Sequence, residues 1–274
     1  MQNKVITDLQ DLTYLNWSHV RNSSGTAGTF LKSQSKSDGK KIYYKLSNFD
    51  SEKGIIGHEC INEIIVDRLL TILGIEHLEY QLIHAKIEID HQIYETWVCA
   101  SEDFKERGET KAALDNYYQI NAKPGTSHYD FCVKNGWQKY IDTMLAVDFL
   151  ILNRDRHGAN IEVLRNARKR SLRIAPLFDH GLSLLCSCYS EEQIKKFDIM
   201  EDKPCQNFIG SRSTLENLNL IQNKASIFKN RLTENDRDII FKDLQNTLSA
   251  EHMDKIWEMI DTRWHYYESL CNMG

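Results

Sequence analysis

The sequence predicts an α+β protein of two lobes. Residues 1–98 are expected to form a small antiparallel-sheet lobe holding one helix, and residues 99–274 a larger helical lobe. Three observations predict this. Strand-type composition dominates the first hundred residues, a single amphipathic helix interrupts it, and beyond Ala100 the apolar spacing becomes helical. A chain of 274 residues can bury a substantial core, with a cleft between two units as the natural ligand site.

The elements follow in order. Lys41-Ile42-Tyr43-Tyr44-Lys45-Leu46 has strand composition, as does Ile87 to Val98 with Ile87, Ile89, Ile93, Tyr94 and Trp97. Between them Ile61, Ile65, Leu69 and Ile72 recur at helical spacing from about His58 to Leu73, and Gly74 is the expected stop. Trp137 to Leu152 is apolar nearly all round, as a buried helix should be. Met253, Ile256, Trp257, Ile260, Trp264 and Tyr267 make a core-packing stripe on a last helix, with Thr233 and Ser249 as expected N-caps of the last two helices. The polar, weakly patterned stretch from Cys188 to Arg212 reads as a mobile loop.

Composition narrows the function classes. The chain is 41% hydrophobic and 27% charged with a net charge of -5, its pI is near 6.1, and its mean hydropathy is -0.50. A dedicated nucleic-acid binder carries a basic excess that is missing here, so no direct DNA binding is expected. No apolar run approaches ~18 residues and Met1 to Gln10 is polar and mixed, so neither a membrane span nor a signal peptide is expected. Seven cysteines without framework spacing imply a reduced, cytoplasmic protein. Cys186 and Cys188, near His180, make at most half a metal site, because no second ligand pair has zinc-like spacing.

The chemistry concentrates in Asn153-Arg154-Asp155-Arg156-His157-Gly158-Ala159-Asn160, directly after the apolar helix, and in Ala175-Pro176-Leu177-Phe178-Asp179-His180-Gly181. Ile161 to Leu164 and Leu172 to Ile174 read as two strands joined by a turn over Arg165 to Arg170. That hairpin should return Asp179 beside Asn160. Phosphoryl transfer needs one carboxylate to orient the attacking hydroxyl, and further oxygen ligands to hold magnesium against a triphosphate. Asp155, Asn160 and Asp179 supply that set, and Asp-x-x-x-x-Asn is the spacing of protein-kinase catalytic loops. Taken singly, Asp-Arg-His and apolar-Asp-x-Gly are solvated turns. Their joint order after a buried helix favours catalysis.

These two segments resemble the HipA-like Ser/Thr kinases, and most of all a short CtkA-like branch. The Asp-Arg-His-x-x-Asn core is also similar to the catalytic motif of phosphatidylinositol 3-kinases. The specific likeness covers residues 140 to 185. The resemblance implies a two-lobed protein-kinase-like fold with Asp155 as the catalytic base and Asn160 and Asp179 as ligands of Mg2+. His157 would shape the catalytic loop or approach the phosphates. It further implies a phosphate loop, a lysine and a pairing glutamate in the first lobe. Ser24, Gly25, Thr26, Ala27 and Gly28 lie in a small-residue stretch suited to the loop, although a full GxGxxG is missing. Lys45 ends a strand and is the candidate ATP lysine, its other reading being a surface lysine. Glu59, Glu63 and Asp67 share one helical stripe. The family pattern selects Glu63, with Glu59 in reserve. Adenine would meet Cys99, Ala100 and Ser101.

By the same resemblance the expected activity is ATP- and magnesium-dependent phosphorylation of Ser/Thr hydroxyls on a protein. Autophosphorylation is expected within Ser23-Ser24 or Ser33 to Ser37. HipA carries an extra N-terminal subdomain and pairs with a DNA-binding antitoxin; this sequence is expected to be too short at its N-terminus for that subdomain, so neither operator binding nor such pairing is expected. Two alternatives stand beside this reading: a lipid or small-molecule phosphotransferase on the same fold, and a nucleotide-binding pseudokinase scaffold. Two smaller features complete the reading. Arg165, Arg168, Lys169, Arg170 and Arg173 form a basic cluster on the hairpin turn, and Asp148, inside the apolar helix, should bond to catalytic-loop backbone.

Overall fold

The structure is a computed structural model and describes residues 4–20, 27–37 and 39–272. Strands β1 (Val5–Asp11), β2 (Ser18–Val20), β3 (Ala27–Ser37) and β4 (Lys40–Lys45) come first. A two-residue hairpin, β5 (Phe49–Asp50) and β6 (Gly54–Ile55), then leads into α1 (Glu59–Leu73). After it come β7 (Gln81–Ile89) and β8 (Gln92–Glu102). One six-stranded sheet runs in the order β1-β7-β8-β4-β3-β2.

Two expectations change here. The sheet is mixed, because β1 lies parallel to β7 while the other pairs are antiparallel. The stretch Ile87 to Val98 is a hairpin and no single strand: Asp90 and His91 turn the chain with φ of 50° and 66°. That turn needs two left-handed residues, a role Asp and His fill less readily than glycine, so local sequence gave little sign of it. The boundary expected at 98/99 falls inside β8.

Helix α1 is buried along most of its length, and Gly74 ends it in the left-handed conformation at φ 71°. Its apolar residues join those of α4 (Gln138–Leu150) and α8 (Ala250–Asn272) in one core. A second cluster on the sheet gathers Leu31, Tyr44, Leu46, Ile83, Ile87, Val98 and Ala100. Between β8 and α4 lie β9 (Thr110–Ala113), α2 (Leu114–Asn121) and α3 (His128–Lys134). Beyond α4, β10 (Asp155–Arg156) precedes the hairpin β11 (Glu162–Asn166) and β12 (Ser171–Ile174). Strand β9 joins that hairpin as a third strand within the region read as helical.

The stretch from Cys188 to Arg212, expected as a mobile loop, contains α5 (Glu191–Lys196) with a Ser190–Gln193 capping box, and β13 (Gln206–Asn207). Its Cys188 and Cys205 are buried, and all seven cysteines are free thiols. After α6 (Thr214–Asn217) comes α7 (Asp236–Ile240), which takes Asn235 as its N-cap. Thr233 instead donates its hydroxyl to Asp236, so its expected capping role is corrected. Ser249 does cap α8, accepting from His252 N at 3.2 Å.

One histidine pair ties these parts together. His58 precedes α1, sits 3.2 Å from the Leu185 carbonyl, and meets His252 of α8 edge to face at 4.6 Å. Burial pushes both imidazoles down from 6.5 to about 4, and His252 adds to the shift of His58. The native state resists protonation where the unfolded chain accepts it, so this contribution is intact above pH 6.5. It is lost as pH falls from there to about 4. The thermal midpoint is expected to drop through that window. In a His58→Phe/His252→Leu variant the drop is expected to be shallower, as followed by circular dichroism.

Candidate active site

The loop after α4 is held from beneath. Asp148, near the end of that helix and 1% exposed, accepts from Asn153 Nδ2 at 2.8 Å and from Arg156 Nη2 at 2.9 Å and Nε at 3.0 Å. Its partners are thus side chains, where backbone groups were expected. A loop guanidinium satisfies a buried carboxylate more fully than one amide can. Arg156, wholly buried, also donates to the carbonyls of Phe178 at 2.8 Å and Asn160 at 3.4 Å. It therefore joins the loop to the segment carrying Asp179. Burial opposes its charge, but the Asp148 carboxylate more than offsets this and raises the guanidinium above its ordinary range. Arg156→Ala strands Asp148 and should cost about 3–5 kcal/mol. The Arg156→Met/Asp148→Leu pair should cost less than the single change, as urea denaturation would measure.

The loop's other residues have local reasons. His157 Nδ1 accepts from Ala159 N at 3.2 Å and caps the 3-10 turn Gly158–Asn160. A Cβ on Gly158 would stand 2.6 Å from Asp115 Cβ, so only glycine lets this turn lie against α2. Asp155 and Arg156 pair with Gln206 and Asn207 of β13. The Asn160 amide reaches back, donating Nδ2 to the Asp155 carbonyl at 2.8 Å.

The β11–β12 hairpin pairs Val163 with Ile174, and beyond it the chain returns to Asn160 as its spacing implied. Asn160, Asp179, Lys45 and Glu63 line one cavity of about 460 Å³. Lys45 Nζ stands 2.5 Å from Asp179 Oδ1 and 2.9 Å from Glu63 Oε1. Burial alone would depress this ammonium, yet Asp179 and then Glu63 hold it well above its usual range. Glu63 also accepts from the backbone N–H groups of His180 at 2.9 Å and Gly181 at 3.1 Å. Glu59 is turned elsewhere, accepting from Asn48 N at 3.0 Å. The helical stripe could not separate these two carboxylates; tertiary position does.

Asp179 adopts φ 59° and donates its N–H to the Tyr80 hydroxyl at 3.1 Å. Asn160 Oδ1 is buried, and no hydrogen-bond donor meets it among the described residues. An orphaned amide oxygen in a cavity wall that also carries the Asp179 carboxylate fits a hard divalent cation. Asp155 lies outside the cavity wall. Its Oδ1 is 3.6 Å from His157 Nε2 and its carboxylate is 23% exposed. The cavity volume lies in the range of small-ligand sites, and a fixed cation in its wall suits a polyphosphate.

Cys99, paired with Lys45 across β4 and β8, and Ser101 also line the wall. Ala100 does not. Side chains alternate along a strand, and Ala100 packs into the second cluster with Ile83 and Ile87. Ser24, Gly25 and Thr26 lie outside the described residues, while Ala27 and Gly28 open β3. Sequence reasoning missed Tyr43, Tyr80, Phe104, Lys111 and Glu162, which also line the cavity. In the basic cluster, Arg173 pairs with Glu109 at 2.7 Å and Lys169 with Glu106 at 3.1 Å. No described helix is long and apolar enough to cross a membrane.

No protein-family model matches the sequence, and none of the curated proteins matches it. The crystal structure of a Helicobacter pylori proinflammatory kinase, CtkA, superposes on 97% of this chain and 98% of its own, with a TM-score of 0.65 at 16% identity. HipA in a Shewanella oneidensis MR-1 HipA, HipB and operator DNA complex gives 0.43 at 13% identity, over 92% of this chain and 67% of that one. A Golgi casein kinase gives 0.43 at 14%, over 93% and 73%. Along nearly its whole length the chain therefore has the α+β fold of the kinase CtkA, the branch of HipA-like kinases that its Asp155–Asn160 and Asp179 segments resemble.

Proposed function

We infer that the protein is a phosphotransferase that moves the γ-phosphoryl group of ATP to a Ser or Thr hydroxyl of a protein. One observation carries this reading: Lys45, Glu63, Asp179 and Asn160, drawn from four separate parts of the chain, converge on one cavity. The kinase fold supports it. Lys45 binds the phosphates, and Glu63 keeps that ammonium in place while tying down the backbone after Asp179. Asn160 and Asp179 would hold magnesium, which supplies neutralisation of charge on the transferring group. Asp155 orients the acceptor hydroxyl and takes its proton as the new O–P bond forms and the bond from the γ-phosphorus to the β-phosphate oxygen breaks, releasing ADP. His157 shapes the loop, and the strands between the two expected lobes, 1–98 and 99–274, frame the nucleotide.

Incubation with γ-labelled ATP, with and without magnesium, against protein and lipid acceptors tests the reading. Magnesium-dependent label on protein is expected. Label on lipid alone would move the assignment to a lipid kinase, and nucleotide binding without transfer would make it a scaffold. Ser33 and Ser35 line the same cavity, so added phosphate within residues 33–37 is expected by mass spectrometry if the chain modifies itself.

A further inference from the structure

The wall of the same cavity also carries charge that phosphoryl transfer leaves unused. Glu162, on β11 and 6% exposed, lines the cavity together with Lys111 of β9, whose Nζ lies 3.3 Å from Glu162 Oε1. The β9–β11 pairing fixes both, setting Glu162 opposite Ala113 and Leu164 opposite Lys111. The ammonium also stands 5.6 Å from the Phe104 ring centre and 5.8 Å from that of Tyr43. Burial, then the negative charges of Asp103 and Glu162, push the Tyr43 phenol up to about 12, so it stays a protonated part of this wall.

The fold alone gives little reason for a carboxylate here. Desolvating an ion pair costs about as much as its attraction returns, and apolar residues of similar volume would hold β9 on β11 equally well. A buried charge in a cavity wall more often marks a ligand contact. A carboxylate only accepts hydrogen bonds, so the ligand group that meets it must donate. Glu162 follows Asn160 by two residues, a reach of roughly 6–7 Å along extended chain. With phosphates at Lys45 and Asn160, that distance reaches the nucleoside half of a nucleotide. Its donors are the ribose hydroxyls and the exocyclic amine of the base.

We propose that Glu162, held by Lys111, is the specificity-determining residue of the cavity and accepts a hydrogen bond from a donor on the nucleoside half of the nucleotide. The proposal rests on the reading of the cavity as an ATP site. Calorimetry on the full chain with magnesium compares ATP, 2′-deoxy-ATP, 3′-deoxy-ATP and the triphosphate of purine riboside, which lacks the amine. One analogue is expected to bind about 10- to 100-fold more weakly than ATP, and its identity names the donor. In a Glu162→Leu/Lys111→Met variant, ATP should fall to that analogue's level and the discrimination should vanish. Wild-type protein that binds all four within about threefold overturns the proposal without any variant. So does a variant that weakens all four alike and keeps their ratios, the mark of a merely structural pair. If the wild type binds none of the four, the ATP reading itself fails and this proposal goes with it.

Discussion

Asp179→Asn is expected to abolish magnesium-dependent phosphoryl transfer, lowering kcat by ~1,000-fold or more, because a lost metal carboxylate removes several kcal/mol of charge stabilisation. The substitution keeps side-chain volume and removes one charge. Asparagine is also among the few residues that tolerate the left-handed conformation Asp179 adopts at φ 59°, so backbone strain does not confound the result. Lys45 would keep Glu63 at 2.9 Å, while its contact at 2.5 Å becomes one with a neutral amide oxygen. The thermal midpoint should therefore move little while turnover disappears. Steady-state kinetics beside a melting curve checks both. Near-normal turnover would remove Asp179 from the metal role.

Asp155→Ala separates chemistry from binding. A positioned general base contributes about 100- to 10,000-fold, and kcat should fall by that factor. Asp155 lies outside the cavity wall, so the Kd for ATP should stay within a few-fold of wild type. Its backbone N–H donates to Asn153 Oδ1 at 3.1 Å and its carbonyl accepts from Asn160, while the carboxylate has longer contacts, 3.5 Å from Asn160 Nδ2 and 3.6 Å from His157 Nε2. Alanine retains the two backbone bonds, which hold the loop in place. A parallel loss of ATP affinity and rate would show that the carboxylate acts through loop structure.

What could be read from the sequence depended on whether a constraint was local. Gly74 as the stop of α1, the apolar faces of α4 and α8, and the β11–β12 hairpin all follow from short-range periodicity and turn signals. The meeting of Asn160 and Asp179 in one cavity was legible because motif spacing fixes their separation, whereas Asp155 of the same motif lies outside the wall. Lys111 and Glu162 were not legible. Their strands pair across some fifty residues, and nothing near Lys111 announces a strand. The choice between Glu59 and Glu63 was likewise beyond helical phase, since both share a stripe and only Glu63 faces Lys45. Arg156 left a trace that can be used elsewhere. An acid such as Asp148 inside an apolar helix needs a buried cation, and the loop that follows offers it.

The central claim is that Asn160 and Asp179 gather a divalent cation against phosphates bound at Lys45. The orphaned Asn160 Oδ1 makes that claim measurable without catalysis. ATP affinity is titrated against magnesium for the wild type and for Asn160→Ala. Magnesium is expected to tighten ATP binding to the wild type by about tenfold or more, and this gain should largely disappear in the variant. An ATP affinity that ignores magnesium in the wild type, or an equal gain in both proteins, would contradict it.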